Sequence, residues 1–471
     1  MRRRLPYILI TLLFAASLLN SVFAKAPKNW EQVPVPAINW NPKSHEEFKL
    51  PNGIDGLVMT DYEVPLASFH FAFPAPPDPA SQVGISDFAT WTLRNGGSEN
   101  IPGDSLNDLT EFKAAYLSFG ASDELLWASG SCMAEDLEFL LGLTRELINQ
   151  PAYPPDKIEL RRGQMLESIR RRNDNPRGIA YREFAKLIYP DHPWGRETTI
   201  ETINSITRDD LLTYHRRVFQ PQGAVIGFAG AVSAQTAVEL AYREFGDLMG
   251  AGELVETLPP APPAAEPGVY YAYKDLKQSY IILGHQTINY SDPRRYAATI
   301  MNYILGGGGF QSVLMKRVRV DEGLAYSVGS SFSLPVISVG RFAASAATRP
   351  DQSGRSLKLM DDIIREFQTN GPKEEDFINA KKAYLNSYVW DFESSEGMLA
   401  GLVYYKWRGL PLDTPQLDLA AYQALTYAEV KKAAQELLHP DQMIKLIIGD
   451  RDKIERPLEE FGTVHVLDIS Q

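Results

Sequence analysis

Arg319 and Tyr326 are the residues of this chain whose types and spacing point most directly to chemistry. They stand seven positions apart near the end of the stretch 305–326, LGGGGFQSVLMKRVRVDEGLAY. A guanidinium and a phenol at that spacing reach the mouth of one groove, and both are hydrogen-bond donors. Four glycines, Gly306, Gly307, Gly308 and Gly309, open the stretch and allow backbone conformations that a Cβ would forbid. Val313, Leu314, Arg317 and Val318 fall at helical spacing and predict a helix of about two turns. Asp321, Glu322 and Gly323 stop it, and LAYSVGSSF reads as a strand. The same spacing also describes a glycine-capped helix running into a core strand. The glycine run is not a phosphate loop, because it lacks the Gly-Lys-Ser/Thr ending and does not match G-x-G-x-x-G.

The elements that position this stretch repeat within the chain. Thr207 and Thr426, Asp210 and Glu429, Pro221 and Pro440, and Gly230 and Gly449 are all separated by 219 residues. Each segment reads as helix, X-Pro turn, apolar strand and glycine. Asn95-Gly96-Gly97 precedes Gly306-Gly307-Gly308 by 211 residues, so a short insertion separates the two offsets. Between the repeats lies 251–268, AGELVETLPPAPPAAEPG, with five prolines in nine residues and no apolar periodicity to bury. It reads as a stiff, extended spacer. Within the first repeat, 56–73 reads as strands, and Ile85, Phe88, Ala89 and Leu93 share one helix face. A second helix is predicted over about 104–118, LLWASG as a buried strand, and helices with Leu137, Leu140, Leu141 and Ile148, and over about 155–172. The result is an α+β chain of two homologous domains, 45–250 and 269–450, each a mixed sheet packed with helices.

The stretch 305–326 strongly resembles the C-terminal half of the pitrilysin and insulinase family, which includes the mitochondrial processing peptidases and their bacterial relatives. Members carry L-G-G-G, a short helix and R-x-x-x-G-L-A-Y or a close variant. HPWGR around His192 and ITRDDLLTYHRRVFQP at 206–221 extend the likeness over about residues 45–450. The resemblance implies a fold clasped around a large central cavity. It also implies that Arg319 and Tyr326 hold a substrate backbone and stabilise the tetrahedral intermediate, with Gly306, Gly307, Gly308 and Gly309 at the substrate.

A family zinc site needs H-x-x-E-H on a helix, so that two imidazoles share one face and the glutamate serves as base. Here that pattern aligns with Gly84 to Trp91, and the three chemical positions are Asp87, Thr90 and Trp91. The distal glutamate is matched by Glu167, 76 residues after Trp91. Left alone, it reads as a relic or a structural hydrogen-bonding residue. None of the seven histidines has another close in sequence. The expectation is therefore a degenerate metal site and no cofactor in this chain. In the bacterial branch some two-domain chains pair, one bringing the zinc and the other the Arg/Tyr pair and glycine loop. By that resemblance this chain is the second kind, inactive alone, with a zinc-bearing paralogous partner and peptide substrates. The alternative is a non-catalytic scaffold or peptide-binding protein of the same fold.

Composition fits an exported protein. Residues 1–24 read as a signal peptide, with Arg2, Arg3 and Arg4 before the apolar run ILITLLFAASLL and a small residue, Ala24, at the cleavage point. The run is shorter than the roughly 20 residues of a membrane span. The chain is thus expected in the periplasm or outside, free of the membrane after cleavage. A net charge of −12, about −15 once those arginines leave, argues against nucleic acid or an anionic membrane as partner. One cysteine, Cys132, allows no internal disulfide, so the fold rests on its core.

Overall fold

The computed structural model describes residue 40 and residues 42–250 and 258–469. Residues 1–24, expected from the sequence to be a signal peptide, and the first part of the proline-rich spacer lie outside these. Two six-stranded sheets organise the described chain. The first runs in the order β1-β2-β6-β3-β5-β4, from Glu46–Lys49, Asp55–Thr60, Leu66–Pro74, Tyr116–Ala121, Leu125–Met133 and Val225–Gly230 as β1 to β6. The second runs β12-β7-β11-β8-β10-β9, from Gly268–Tyr273, Ser279–Thr287, Ala325–Phe332, Gly340–Thr348, Ile444–Gly449 and Val464–Val466 as β7 to β12. Both are mixed: β2 pairs parallel with β6, and β7 with β11, beside antiparallel neighbours. With β7 equivalent to β2 and β11 to β6, the strand order is the same in both halves. Only the outermost strand differs, being β1, antiparallel, in one sheet and β12, parallel, in the other. The protein is a duplicated α+β unit.

The repeated residues hold equivalent places. The helices used below are α1 Ile85–Gly96, α2 Gly103–Phe112, α3 Pro155–Arg171, α4 Pro176–Ile188, α5 Arg208–Val218, α6 Ser395–Trp407 and α7 Tyr427–Leu437. Thr207 caps α5 and Thr426 caps α7, each in a reciprocal capping box with the acidic residue three positions on. Thr207 N–H donates to Asp210 at 2.9 Å, and Thr426 N–H to Glu429 at 2.8 Å. These bonds satisfy backbone donors that a helix start leaves open. Each helix then passes through Pro221 or Pro440 into the central strand β6 or β11.

The halves also trade a helix. α4, from the first half, buries Ile179, Ala180, Phe184 and Ile188 against Ile282, Ile444, Leu446 and Ile448 of the second sheet. In return α6 packs Met398, Leu399, Leu402 and Val403 on Leu57, Met59, Ala72 and Val225 of the first. Glycine makes room at each crossing. A Cβ on Gly227 would lie 2.6 Å from Leu399 and Val403, and one on Gly284 would lie 2.7 Å from Phe184. Residues 258–268 run extended along the second half and are tied down. Ala261 N–H donates to Ser338, Ala265 N–H to the Leu187 carbonyl, and the Pro262 carbonyl accepts from Gln286.

Three local readings change. The helix expected to run to about residue 118 ends at Phe112, and 116–121 is strand β4. Ala114 makes the left-handed turn at φ 47°, where glycine is the usual signal, so the sequence carried no stop sign. β5 is buried on one face only: Leu126, Ala128, Gly130 and Cys132 face the helices, while Trp127, Ser129 and Ser131 are half-exposed. Finally, residues 303–307 and 315–321 adopt wide turns with i→i+5 bonding in place of the regular two-turn helix. Such turns are rare and concentrate at functional sites.

Candidate functional site

The glycine loop is held by space more than by backbone angle. Only Gly309 and, further on, Gly323 adopt positive φ, both 62°. Gly306 is buried against β9, where a Cβ would lie 2.4 Å from the backbone and hydroxyl of Ser330. Gly308 would meet the Tyr303 carbonyl at 2.7 Å. Asn302 straps the loop to the sheet, accepting a 2.7 Å hydrogen bond from the Ser330 hydroxyl. Of the four glycines, then, Gly306 faces the sheet, whereas Gly307 and Gly309 are exposed.

Beyond the loop the two wide turns and a strand irregularity set the side chains. Ala325 pairs with Thr348 and Ser327 with Ala347, so Tyr326 is the extra residue of a β-bulge. A bulge re-aims one side chain without breaking the sheet, and Tyr326 is 75% exposed. Arg319, on the second wide turn, lays its guanidinium over two rings. It is 5.1 Å from the Tyr326 centroid and 5.0 Å from that of Phe310. One guanidinium nitrogen also lies 3.9 Å from the Met315 sulfur. Among the described residues no carboxylate is in ion-pair range of Arg319. The cation is oriented by aromatic faces, a contact worth about 0.5–1 kcal/mol in exposed settings, and its N–H groups stay available. Phe310, 68% exposed, is the member that sequence reasoning missed. Its signal was an aromatic residue placed directly after four glycines.

The other expected site lies on α1, whose start is held by Asp78. That carboxylate accepts from Gly84 N–H at 2.6 Å and Ser86 N–H at 3.3 Å. Asp87 and Trp91 share one face of α1 and meet Arg161 of α3. The Arg161 guanidinium donates to Asp87 at 2.5 Å, and its carbon lies 5.2 Å from the Trp91 ring centroid. Thr90 is buried and returns its hydroxyl to the Ser86 and Asp87 carbonyls. Glu167 accepts from Arg171 at 2.5 Å and lies 3.7 Å from Arg170. An arginine thus sits against the metal-site face of α1, and these residues do not fit a zinc ion. Zinc sites are built from several imidazole, thiolate or carboxylate donors converging on one point, and a cation held against that point repels the ion. Among the described residues no group of three or more His, Cys, Asp or Glu is placed to hold a metal.

The histidines serve the fold. His192 is buried, accepts from Trp194 N–H and bonds the Pro259 carbonyl at 2.9 Å, pinning HPWGR to the spacer. His285 and His439, distant in sequence, meet with ring centroids 5.1 Å apart. The His285 Nδ1 bonds the Gln286 carbonyl and its Nε2 accepts from His439 N–H, so both of its nitrogens are occupied.

Duplicated mixed sheets with exchanged helices, a glycine loop and a degenerate helix site define a peptidase-like fold. The sequence profile of the peptidase M16 inactive domain matches residues 205–384. A protein of Mycobacterium leprae called an uncharacterized zinc protease is 27% identical over 315 residues, 64% of this chain and 69% of that protein. The non-peptidase homolog YmxG of Helicobacter pylori is 24% identical over 380 residues, 79% of this chain and 86% of its own. The crystal structure of a peptidase M16 inactive domain from Pseudomonas fluorescens superposes with a TM-score of 0.80 at 25% identity, covering 88% of this chain and all of that one. By these matches the chain is similar to the M16 family of pitrilysin- and insulinase-like metallopeptidases, the profile match falling on residues 205–384, and its own helix site does not suit zinc.

Proposed function

We propose that this chain is the zinc-free subunit of an exported two-chain peptidase, lending Arg319 and Tyr326 to a peptide held by a zinc-bearing paralogue. The observation that carries this reading is the contrast between two cations. Arg161, in the first half, is neutralised by Asp87, whereas Arg319 stands between two exposed rings and, among the described residues, has no carboxylate to neutralise it. Arg319 holds a backbone carbonyl of the peptide, and Tyr326 donates from its phenol to the oxygen that gains charge. Among the described residues no metal-binding group stands ready to activate water, and on this reading the chain alone hydrolyses nothing.

The test mixes the mature chain with a paralogue carrying H-x-x-E-H. Tyr326→Phe lowers kcat about 10²-fold with little change in KM, as expected for removal of one oxyanion donor. Arg319→Ala also raises KM, since its contact precedes the reaction. A second reading, a non-peptidase scaffold, draws on the name of the Helicobacter pylori homologue. It is the correct one if both variants assemble normally and leave the activity of the pair unchanged.

A further inference from the structure

The exchanged helix α4 brings a second uncompensated cation to the same wall of the protein. Its first turn closes a cavity of about 280 Å³ floored by Ser327, Gly329 and Ser345 and rimmed by Gly306 and Gly307. The cavity therefore shares strand β9 with Tyr326 and its rim with the loop that ends at Phe310. Arg177 is the one charged residue of the lining, which contains no carboxylate. Among the described residues no carboxylate is in ion-pair range of it. Its guanidinium lies 5.5 Å from the Tyr181 ring centroid, and the Tyr181 hydroxyl meets that of Ser345 at 3.3 Å, which fixes the ring beneath the cation. The Tyr280 hydroxyl, also in the lining with its ring centroid 6.4 Å from that of Tyr181, has no hydrogen-bond partner among the described residues. Burial pushes its phenol up, with Arg177 opposing, so it remains a donor at neutral pH.

A free guanidinium and a free phenol converging on a cavity of serines and glycines match a carboxylate in charge and donor number. We propose that this cavity is a carboxylate subsite, in which Arg177 and Tyr280 take the acidic side chain or terminal carboxylate of a peptide lying against Arg319 and Tyr326. The inference rests on the peptide-binding reading above and adds a substrate class to it. The chain as a whole carries a net charge of −12, so its long-range field disfavours acidic peptides. Any preference for them must come from a local contact of this kind. The exchange of α4 gives the subsite a built-in link between the halves, because its cation comes from the first and its floor from the second.

The test is retention of random decapeptide pools on the immobilised mature chain, read by mass spectrometry. One pool is acetylated and amidated with a central Glu, a second is identical with Gln, and a third has Gln and a free C-terminal carboxylate. Retention of the Glu pool about tenfold above the Gln pool, lost in Arg177→Ala and partly kept in Arg177→Lys, supports an acidic side chain as the ligand. The same pattern confined to the third pool supports a chain terminus. Arg177 is exposed, so the variants are expected to fold, and their melting temperatures verify it. Equal retention of all pools, unchanged by Arg177→Ala, overturns the subsite while leaving peptide binding standing. No retention of any pool overturns the subsite, while the peptide-binding reading is decided separately by the Arg319 and Tyr326 variants in the two-chain assay.

Discussion

Restoring the family's zinc motif to α1 should give only weak zinc binding while Arg161 remains. The perturbation is the triple change Asp87→His, Thr90→Glu and Trp91→His, made with and without Arg161→Ala. The guanidinium carbon lies 5.2 Å from the Trp91 ring centroid, which marks where the second imidazole would point. A doubly charged ion at that separation from a single positive charge, at an effective dielectric near 20, is disfavoured by about 6 kcal/mol. The arginine side chain is 17% exposed, and the triple change removes its Asp87 and Trp91 partners, leaving only a 3.4 Å hydrogen bond to Gln164. It can then swing toward solvent, and roughly half of the penalty should survive, about 3 kcal/mol or a hundredfold in affinity. Competition with a zinc-binding dye, together with metal content after dialysis, measures this directly. The expected result is weak zinc binding in the triple variant and binding about a hundredfold tighter once Arg161 is also removed. Equal affinity in the two proteins would refute the claim that this arginine stands against the metal position.

Other consequences follow from single residues. Thr207→Ala and Thr426→Ala each remove a helix cap and should lower stability by about 1 kcal/mol in denaturant titrations. Ala114→Gly relieves a left-handed alanine and should raise the melting temperature, by an amount corresponding to about 0.5–1 kcal/mol. Gly227→Val drives a side chain into Leu399 and Val403 and should cost about 1–3 kcal/mol or displace α6, which proteolysis near 390–410 would reveal. His215 and His285 are buried as neutral rings, and burial pulls both down to about 4 from the usual value near 6.5. The unfolded chain therefore binds their protons first, so stability is complete above about pH 6.5 and is lost as pH falls toward 4, by roughly 3 kcal/mol for each ring. In melts across that window, His215→Gln should flatten the slope relative to the wild type.

Much of the fold was legible because its signals are local and repeated. Thr207 with Asp210 and Thr426 with Glu429 announce helix starts, and Ile85, Phe88, Ala89 and Leu93 announce a buried face; all four are buried. What escaped the sequence are features that no local pattern encodes. The exchange of α4 and α6 depends on which sheet has a glycine beneath each helix, and Gly227 and Gly284 look ordinary within their strands. The bulge at Tyr326 arises from register against Thr348 and Ala347, a pairing set by distant residues. At the degenerate site Asp87, Thr90 and Trp91 could be read as unsuited to zinc. The arginine facing them could not be placed, because Arg161 lies 70 positions beyond Trp91 on another helix.

The duplication sharpens what the two arginines mean. Each half carries a guanidinium stacked on an aromatic ring beside the segment related to the glycine turn, but the electrostatic surroundings differ. At Arg161 the charge is closed by Asp87, and a new ligand would first have to break that bond. At Arg319 the stacking fixes direction without consuming a carboxylate partner, so an incoming carbonyl or carboxylate meets an oriented donor. Ordering a long side chain in advance removes part of the entropy that binding otherwise costs. Stability alone gives little reason for such an arrangement, since two exposed rings and a lone cation contribute about 1 kcal/mol at most per contact. A bulge, two wide turns and a loop in which a Cβ on Gly306 would clash with Ser330 of β9 are a large structural commitment for so small a return. On the proposed function, they are the means of holding Arg319 and Tyr326 toward a bound peptide.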